Sequence, residues 1–144
     1  MKPSGIYPTR LAGAVMLILL LIAPEALCSQ ASAGITAVSI RAESGEVELA
    51  TEGAIEYGYF PLSEPDRLVF DFPGTLLTAN DGEEVVEEVA GAGFREIRLS
   101  QFSDDPPIAR LVFYLTDPAT AIVNFDRLNG RMVIRINTAD TRRN

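Results

Sequence analysis

The chain has 144 residues, with 12 basic side chains against 20 acidic ones, a net charge of −8, no histidine and one cysteine. A chain this acidic is poorly suited to neutralising a phosphate backbone, so nucleic acid is not an expected partner. Without histidine it lacks the commonest metal ligand and general base, and no metal or cofactor site is expected.

Residues 1–33 read as an export signal rather than as part of a folded domain. Lys2 and Arg10 supply a positive start, Leu11 to Ala23 is a run of 13 apolar residues, and Pro24 breaks it before Ala31-Ser32-Ala33, a small-x-small cleavage site. A membrane-crossing helix needs about 20 apolar residues, so an uncleaved anchor is the weaker alternative. A lipid on Cys28 is weaker still, because the bulky Leu27 precedes it. Membrane contact is thus expected only through this segment before cleavage. Residues 34–144 then form one domain, large enough for a single core. Setting aside Lys2, Arg10 and Glu25 leaves 10 arginines, no lysine and 19 acids, a net charge of −9. The lone cysteine falls in the leader, so disulfides and cysteine nucleophiles are not expected in the mature chain.

From Ile35 onward a two-residue alternation dominates, rich in β-branched and aromatic residues. Val38 and Ile40 open it, followed by Val47, Leu49 and Thr51 against Glu46, Glu48 and Glu52. Tyr57 and Tyr59 alternate with Gly58 and Phe60, and Leu68, Phe70 and Phe72 with Val69 and Asp71. Later runs centre on Ile97 and Leu99, on Leu111, Phe113 and Leu115, on 121–125 and on 132–136, for eight short strands in all. Turn signals separate them at Ser44-Gly45, Glu64-Pro65-Asp66, Asp105-Pro106-Pro107, Asp117-Pro118 and Asn129-Gly130.

Sliding the chain by 64 residues lays Val47 and Leu49 on Leu111 and Phe113, the Pro65-Asp66 turn on Asn129-Gly130, and Arg67-Leu-Val-Phe70 on Arg131-Met-Val-Ile134. A slide of 59 lays Ile35, Val38 and Ile40 on Phe94, Ile97 and Leu99. The expected architecture is therefore an all-β sandwich of two similar four-stranded sheets from an internal duplication, with halves at about 35–72 and 94–137. Val38, Leu49, Leu68, Phe70, Ile97, Leu111, Phe113 and Ile134 are its expected core. In the connector, residues 73–93, Asp81 to Ala90 carries a small valine stripe among four glutamates, and suits either a short helix or a mobile acidic link.

Three stretches, Arg67-Leu-Val-Phe-Asp-Phe-Pro-Gly74, Phe94-Arg-Glu-Ile-Arg-Leu-Ser-Gln-Phe102 and Ala109-Arg-Leu-Val-Phe-Tyr-Leu115, together with the closing pair at 121–125 and 131–136, resemble the AMIN domain. That is the non-catalytic module found ahead of bacterial cell-wall amidases and in type IV pilus secretins. The resemblance spans about residues 35–137. It implies a two-sheet β fold, a periplasmic location and targeting through peptidoglycan, with an amidase or a secretin as a possible protein partner. The zinc-dependent catalytic domain of the amidase group has no counterpart in this histidine-free sequence, so the resemblance implies no amidase activity.

The residues themselves offer one candidate binding cluster. Arg95, Arg98 and Arg110 fall on neighbouring strands, with Gln101, Phe102 and Tyr114 beside them. Arginine forks read carboxylates and aromatic faces stack on sugars, a mixture suited to a muramyl-peptide glycan. The blander alternative makes these arginines cross-strand partners of acids such as Glu46 and Glu48. A second cluster, Tyr57, Tyr59 and Phe60, is expected in the core, the alternative being an exposed sugar platform. Asp104-Asp105 reads as turn chemistry, and Glu83, Glu84, Glu87 and Glu88 lack the spacing of a calcium loop. Ser100 and Ser103 have no histidine to activate them, so the expectation is an exported peptidoglycan-binding module without catalysis. The rival is a periplasmic protein-interaction module that adds a partner strand to a sheet edge and assists a secretin, pilus or cell-wall enzyme complex.

Overall fold

The computed structural model of the protein describes residues 33–138. Of the expected leader 1–33, only Ala33 is among them, and the charged start, the apolar run, Cys28 and most of the cleavage motif lie outside. Ala33 is buried at the head of the first strand and donates its backbone N–H to the Gly74 carbonyl at 3.2 Å, one residue before the expected domain start.

Ten strands and no α-helix make up the described chain: β1 (Ala33–Arg41), β2 (Glu46–Glu52), β3 (Gly58–Leu62), β4 (Arg67–Pro73), β5 (Thr75–Leu77), β6 (Val85–Glu88), β7 (Phe94–Asp104), β8 (Pro107–Leu115), β9 (Ala119–Asp126) and β10 (Arg131–Thr138). They form two five-stranded sheets, in the orders β5-β1-β2-β10-β9 and β3-β4-β8-β7-β6. This corrects the expected four-stranded sheets on two counts. Neither half forms a sheet of its own, because Gly53 to Tyr57 carries the chain across between the hairpins β1–β2 and β3–β4. Each sheet therefore joins one hairpin of the first half to one of the second. The fifth strands, β5 and β6, come from the connector; a 3₁₀ turn at Ala79–Gly82 lies between them, and the valine stripe expected as a helix or a loose link is strand. β5 pairs parallel to β1 and β6 antiparallel to β7, each covering what would otherwise be an open edge. The short valine run favours the extended state there, with Val85 opposite Leu99 and glutamates filling the rest of the edge.

The 64-residue offset persists in the pairings that close the sheets. Leu49 faces Met132 and Val47 faces Ile134 in one sheet, while Phe113 faces Leu68 and Leu111 faces Phe70 in the other. Inward residues of both sheets build one hydrophobic cluster. Of the expected core, Leu49, Leu68, Phe70, Ile97, Leu111, Phe113 and Ile134 are buried, and Val38 packs half-buried against them. Phe113 sits at the centre, edge-on to Phe70 and Phe94 at ring separations of 5.9 and 5.4 Å. At the β9–β10 turn Gly130 holds a positive φ of 58°, and an added Cβ would overlap the Thr51 carbonyl oxygen of β2. The Thr51 N–H donates to the Gly130 carbonyl at 2.7 Å, which fixes how closely that turn approaches β2.

The tyrosine cluster departs from its expected place. All five residues of β3 are exposed, and so is Tyr57 just before it. Tyr59 does point inward and stacks on Phe70 at 5.1 Å, but it remains 49% exposed because this edge of the core has no cover. Alternation fixes the face a side chain points to and says nothing of whether the opposite sheet reaches that far.

Candidate functional site: the outer face of the β3-β4-β8-β7-β6 sheet

Strand register fixes what this outer face presents. One row runs Phe60, Val69, Val112, Arg98, Val86 across the five strands. A second runs Leu62, Arg67, Tyr114, Glu96, Glu88, and a third Gly58, Asp71, Arg110, Ser100. The first row is largely apolar. Val69 is only 2% exposed although it lies on the outward side of β4 and outside the main core cluster. The accessible apolar members of the row beside it are Phe60 and the half-buried Val112, bordered by Arg98.

Arg98 and Arg95 lie over the Tyr114 ring, with guanidinium carbons 5.6 and 5.9 Å from its centroid. Arg98 is hydrogen-bonded to Glu96 and lies 3.9 Å from Glu84. The hydrogen bond it donates to Glu96 is the main cause of its raised pKa. Arg95 makes no ion pair among the described residues. The third arginine is differently placed. Arg110 grips Asp71 with two parallel bonds of 2.6 and 2.8 Å and lies 3.4 Å from the centroid of Phe102, whose side chain is 54% exposed. The Asp71 bond raises the Arg110 pKa against a smaller opposing effect of desolvation. Two groups result: one in which Arg95, without an ion pair among the described residues, and the Glu96-paired Arg98 lie over Tyr114, and one of Arg110, Asp71 and Phe102 whose fork is already occupied.

Gln101 stands apart from both. Its Nε2 donates to the carbonyls of Thr75 at 3.1 Å and Ser103 at 2.8 Å, and its Oε1 accepts from the Leu77 N–H at 2.7 Å. The side chain thereby stitches β7 to β5 of the other sheet. All six expected site residues thus lie on β7 and β8; five fall in the two groups, while the Gln101 side chain is held by backbone partners.

Glu46 and Glu48, the acids proposed as partners for these arginines, lie on the outer face of the other sheet. Glu46 bonds to Arg41 at 2.7 Å and Arg135 at 2.6 Å, and Glu48 to Arg131 at 2.8 Å. Hydrogen bonds from Arg135 and Arg131 respectively hold these two carboxyls below their ordinary range. Sequence reasoning missed Phe60, Val69, Val112, Asp71 and Glu96 as parts of the candidate face. Alternation places all five opposite their inward neighbours, but only the strand order brings β3, β4, β8 and β7 together.

The family model of the AMIN domain matches residues 34–127. The chain belongs to the AMIN domain family. The matched stretch contains the whole candidate face and stops before β10, which lies between β2 and β9 in the other sheet, so the folded unit extends past the match. No curated protein matches the chain. AMIN is a non-catalytic domain family, characteristic of exported envelope proteins and occurring in cell-wall amidases and secretins. Among the described residues no group of three or more acidic side chains is arranged to hold a metal ion, and no helix is long and apolar enough to cross a membrane.

Proposed function

We propose that this AMIN domain is exported behind a cleaved leader and binds peptidoglycan without catalysis, through the outer face of the β3-β4-β8-β7-β6 sheet. The observation that supports the reading is the pair of arginines over Tyr114, Arg95 without an ion pair among the described residues and Arg98 bonded to Glu96, beside the accessible Phe60 and the half-buried Val112. Muramyl peptides carry carboxylates that arginine forks read, and their sugar rings present apolar faces that stack on aromatics. Arg110 and Phe102 extend the same face, with Asp71 holding the Arg110 fork in position. Surface charge contacts contribute about 0–1 kcal/mol each, so the affinity is modest, salt-sensitive and spread over several groups.

Co-sedimentation with purified sacculi tests this reading. The parent protein is expected to pellet with sacculi at low salt, and Arg95→Glu with Arg98→Glu, or Tyr114→Ser, to remain largely in solution while still folded. A folded charge-reversal variant that pellets as well as the parent would refute the arginine face. A second reading, as a docking module for an envelope protein, is favoured by the fully exposed strand β3.

A further inference from the structure

We infer that β3 is a strand-addition site for an extended peptide of a partner protein, one with an uncharged apolar centre and a basic residue near each end. This site deepens the docking-module reading and shares Phe60 and Leu62, but none of the arginines, with the proposed peptidoglycan face. It starts from how the four sheet edges differ. β5 has three residues, β6 is lined with glutamates, and β9 is longer but turns Ala119, Ala121, Val123 and Phe125 onto the core, leaving Ile122 as its exposed large hydrophobic. β3 is short and carries Pro61, but of these edges it is the one with large apolar side chains exposed on both faces. Its sequence, Gly58-Tyr-Phe-Pro-Leu62, has no charge, and every residue is exposed. Tyr57, Tyr59, Phe60 and Leu62 are all exposed large hydrophobics, and they lie on both faces of the same strand. Among the described residues β3 is hydrogen-bonded only to β4, which leaves its other edge unpaired by them. Natural edge strands are normally blunted by charge, brevity, proline or cover. An uncharged edge with apolar side chains on both faces still has what strand addition needs: flanking pockets and a backbone ladder that lacks only the Pro61 donor.

The flanks identify the occupant. Exposed Glu52 and Glu56 precede the strand, and exposed Glu64 and Asp66 follow it. The one basic side chain beside them, Arg67, turns its Nε to the Pro65 carbonyl at 3.2 Å. An incoming strand therefore meets negative charge at both ends and none in the middle. A second copy fits poorly, because antiparallel pairing centred on Phe60 sets Glu56 opposite Glu64 twice. The carboxylates of a muramyl stem peptide are repelled in the same way. A strand with arginine or lysine at its ends matches both flanks.

The test titrates the purified protein with a blocked heptapeptide of alternating valine and tyrosine with an arginine at each end. Backbone amide shifts are followed by NMR. Saturable shifts confined to residues 56–71 are expected, with no shift from the same peptide N-methylated at alternate positions, which removes its ladder donors. The Glu56→Lys, Glu64→Lys variant is expected to bind about tenfold more weakly and to prefer the glutamate-ended peptide. That variant should still pellet with sacculi like the parent, since neither residue lies on the arginine face. Four results would each overturn the inference: equal binding of the arginine-ended and glutamate-ended peptides, equal binding of the N-methylated one, a parent dimer dissociated by changes at β3, or loss of sacculus binding on Tyr57→Ser, Tyr59→Ser without peptide binding by the parent.

Discussion

Replacing Phe113 by alanine tests the packing that joins the two halves in a single sheet. Phe113 is fully buried on β8, paired with Leu68 of β4 on one side and Ile97 of β7 on the other. It is the common partner of two edge-on ring contacts, to Phe70 at 5.9 Å and Phe94 at 5.4 Å. Truncating a buried phenylalanine costs about 3–5 kcal/mol through lost transfer energy and the cavity left behind. Edge-on aromatic pairs contribute about 0.5–1.5 kcal/mol beyond area burial, which points to the upper part of that range. For a domain of about a hundred residues, 3–5 kcal/mol lowers Tm by roughly 15–30 °C. Urea denaturation followed by far-ultraviolet circular dichroism gives the loss directly, with the slope unchanged if the unfolded state is unaffected. Val38→Ala serves as the contrast: Val38 is only half-buried at the rim of the core, and its truncation should cost under about 1.5 kcal/mol. If Phe113→Ala costs no more than Val38→Ala, then Phe113 is not the centre of the core and the placement of β8 between β4 and β7 is wrong.

Three further outcomes follow from particular contacts. Gly130→Ala should destabilise by about 1–3 kcal/mol, since the turn needs its positive φ and the new methyl meets the Thr51 carbonyl; thermal melting measures it. Gln101→Ala removes the bonds to Thr75, Ser103 and Leu77, and amide exchange should accelerate at Leu77 well before the rest of the sheet loosens. Glu46 and Glu48 have folded pKa values below the ordinary 4.5, so their stabilising effect is complete above that value and disappears as pH falls through the folded values. Tm should therefore drop on acidification below about pH 4.5, and more gently in a Glu46→Gln, Glu48→Gln variant.

Much of the strand pattern was legible because alternation reports directly on one-sided burial. Leu68, Phe70, Leu111 and Phe113 declare an inward face whatever strands lie beside them. Strand order is a different kind of information. β2 pairs with β10 across more than 80 residues, and nothing local to Val47 or Ile134 indicates that choice rather than pairing within each half. β6 was obscured for a related reason: two valines among glutamates make a weak pattern in isolation, and only the bare edge of β7 makes strand pairing the favourable state. The candidate site was legible as residue types on β7 and β8, but its partners depended on strand order. Asp71 closes on Arg110 because β4 lies beside β8, and Gln101 turns to β5, a strand the sequence did not reveal.

The 64-residue correspondence also explains why one outer face, rather than both, is the better binding surface. At matching ladder positions the first sheet sets Glu46 opposite Arg135, and the second sets Arg110 opposite Asp71, the same ion pair with its charges exchanged. The next row decides the difference. Where one sheet has Glu48 opposite Val133, the other has Val112 opposite Val69. Glu48 draws in Arg131 and adds to the neighbouring Glu46 pairs, so that face is a closed quilt of neutralised charge. Two valines in its place carry no charge: Val69 is covered, Val112 is partly exposed, and Phe60 and Arg98 flank them in the same row. Binding a ligand to the ionic face means displacing internal partners, which offsets what the new contacts contribute. On the valine face Phe60 and Val112 hold no ionic partner, so a sugar ring laid over them displaces water alone, although Arg98 and Arg110 beside them are paired. Val112→Glu therefore has a defined expectation: it should abolish sacculus binding in a protein that still folds, whereas Glu48→Val on the opposite face should leave binding intact. Loss of binding from Glu48→Val, with Val112→Glu unaffected, would assign the ligand to the other sheet.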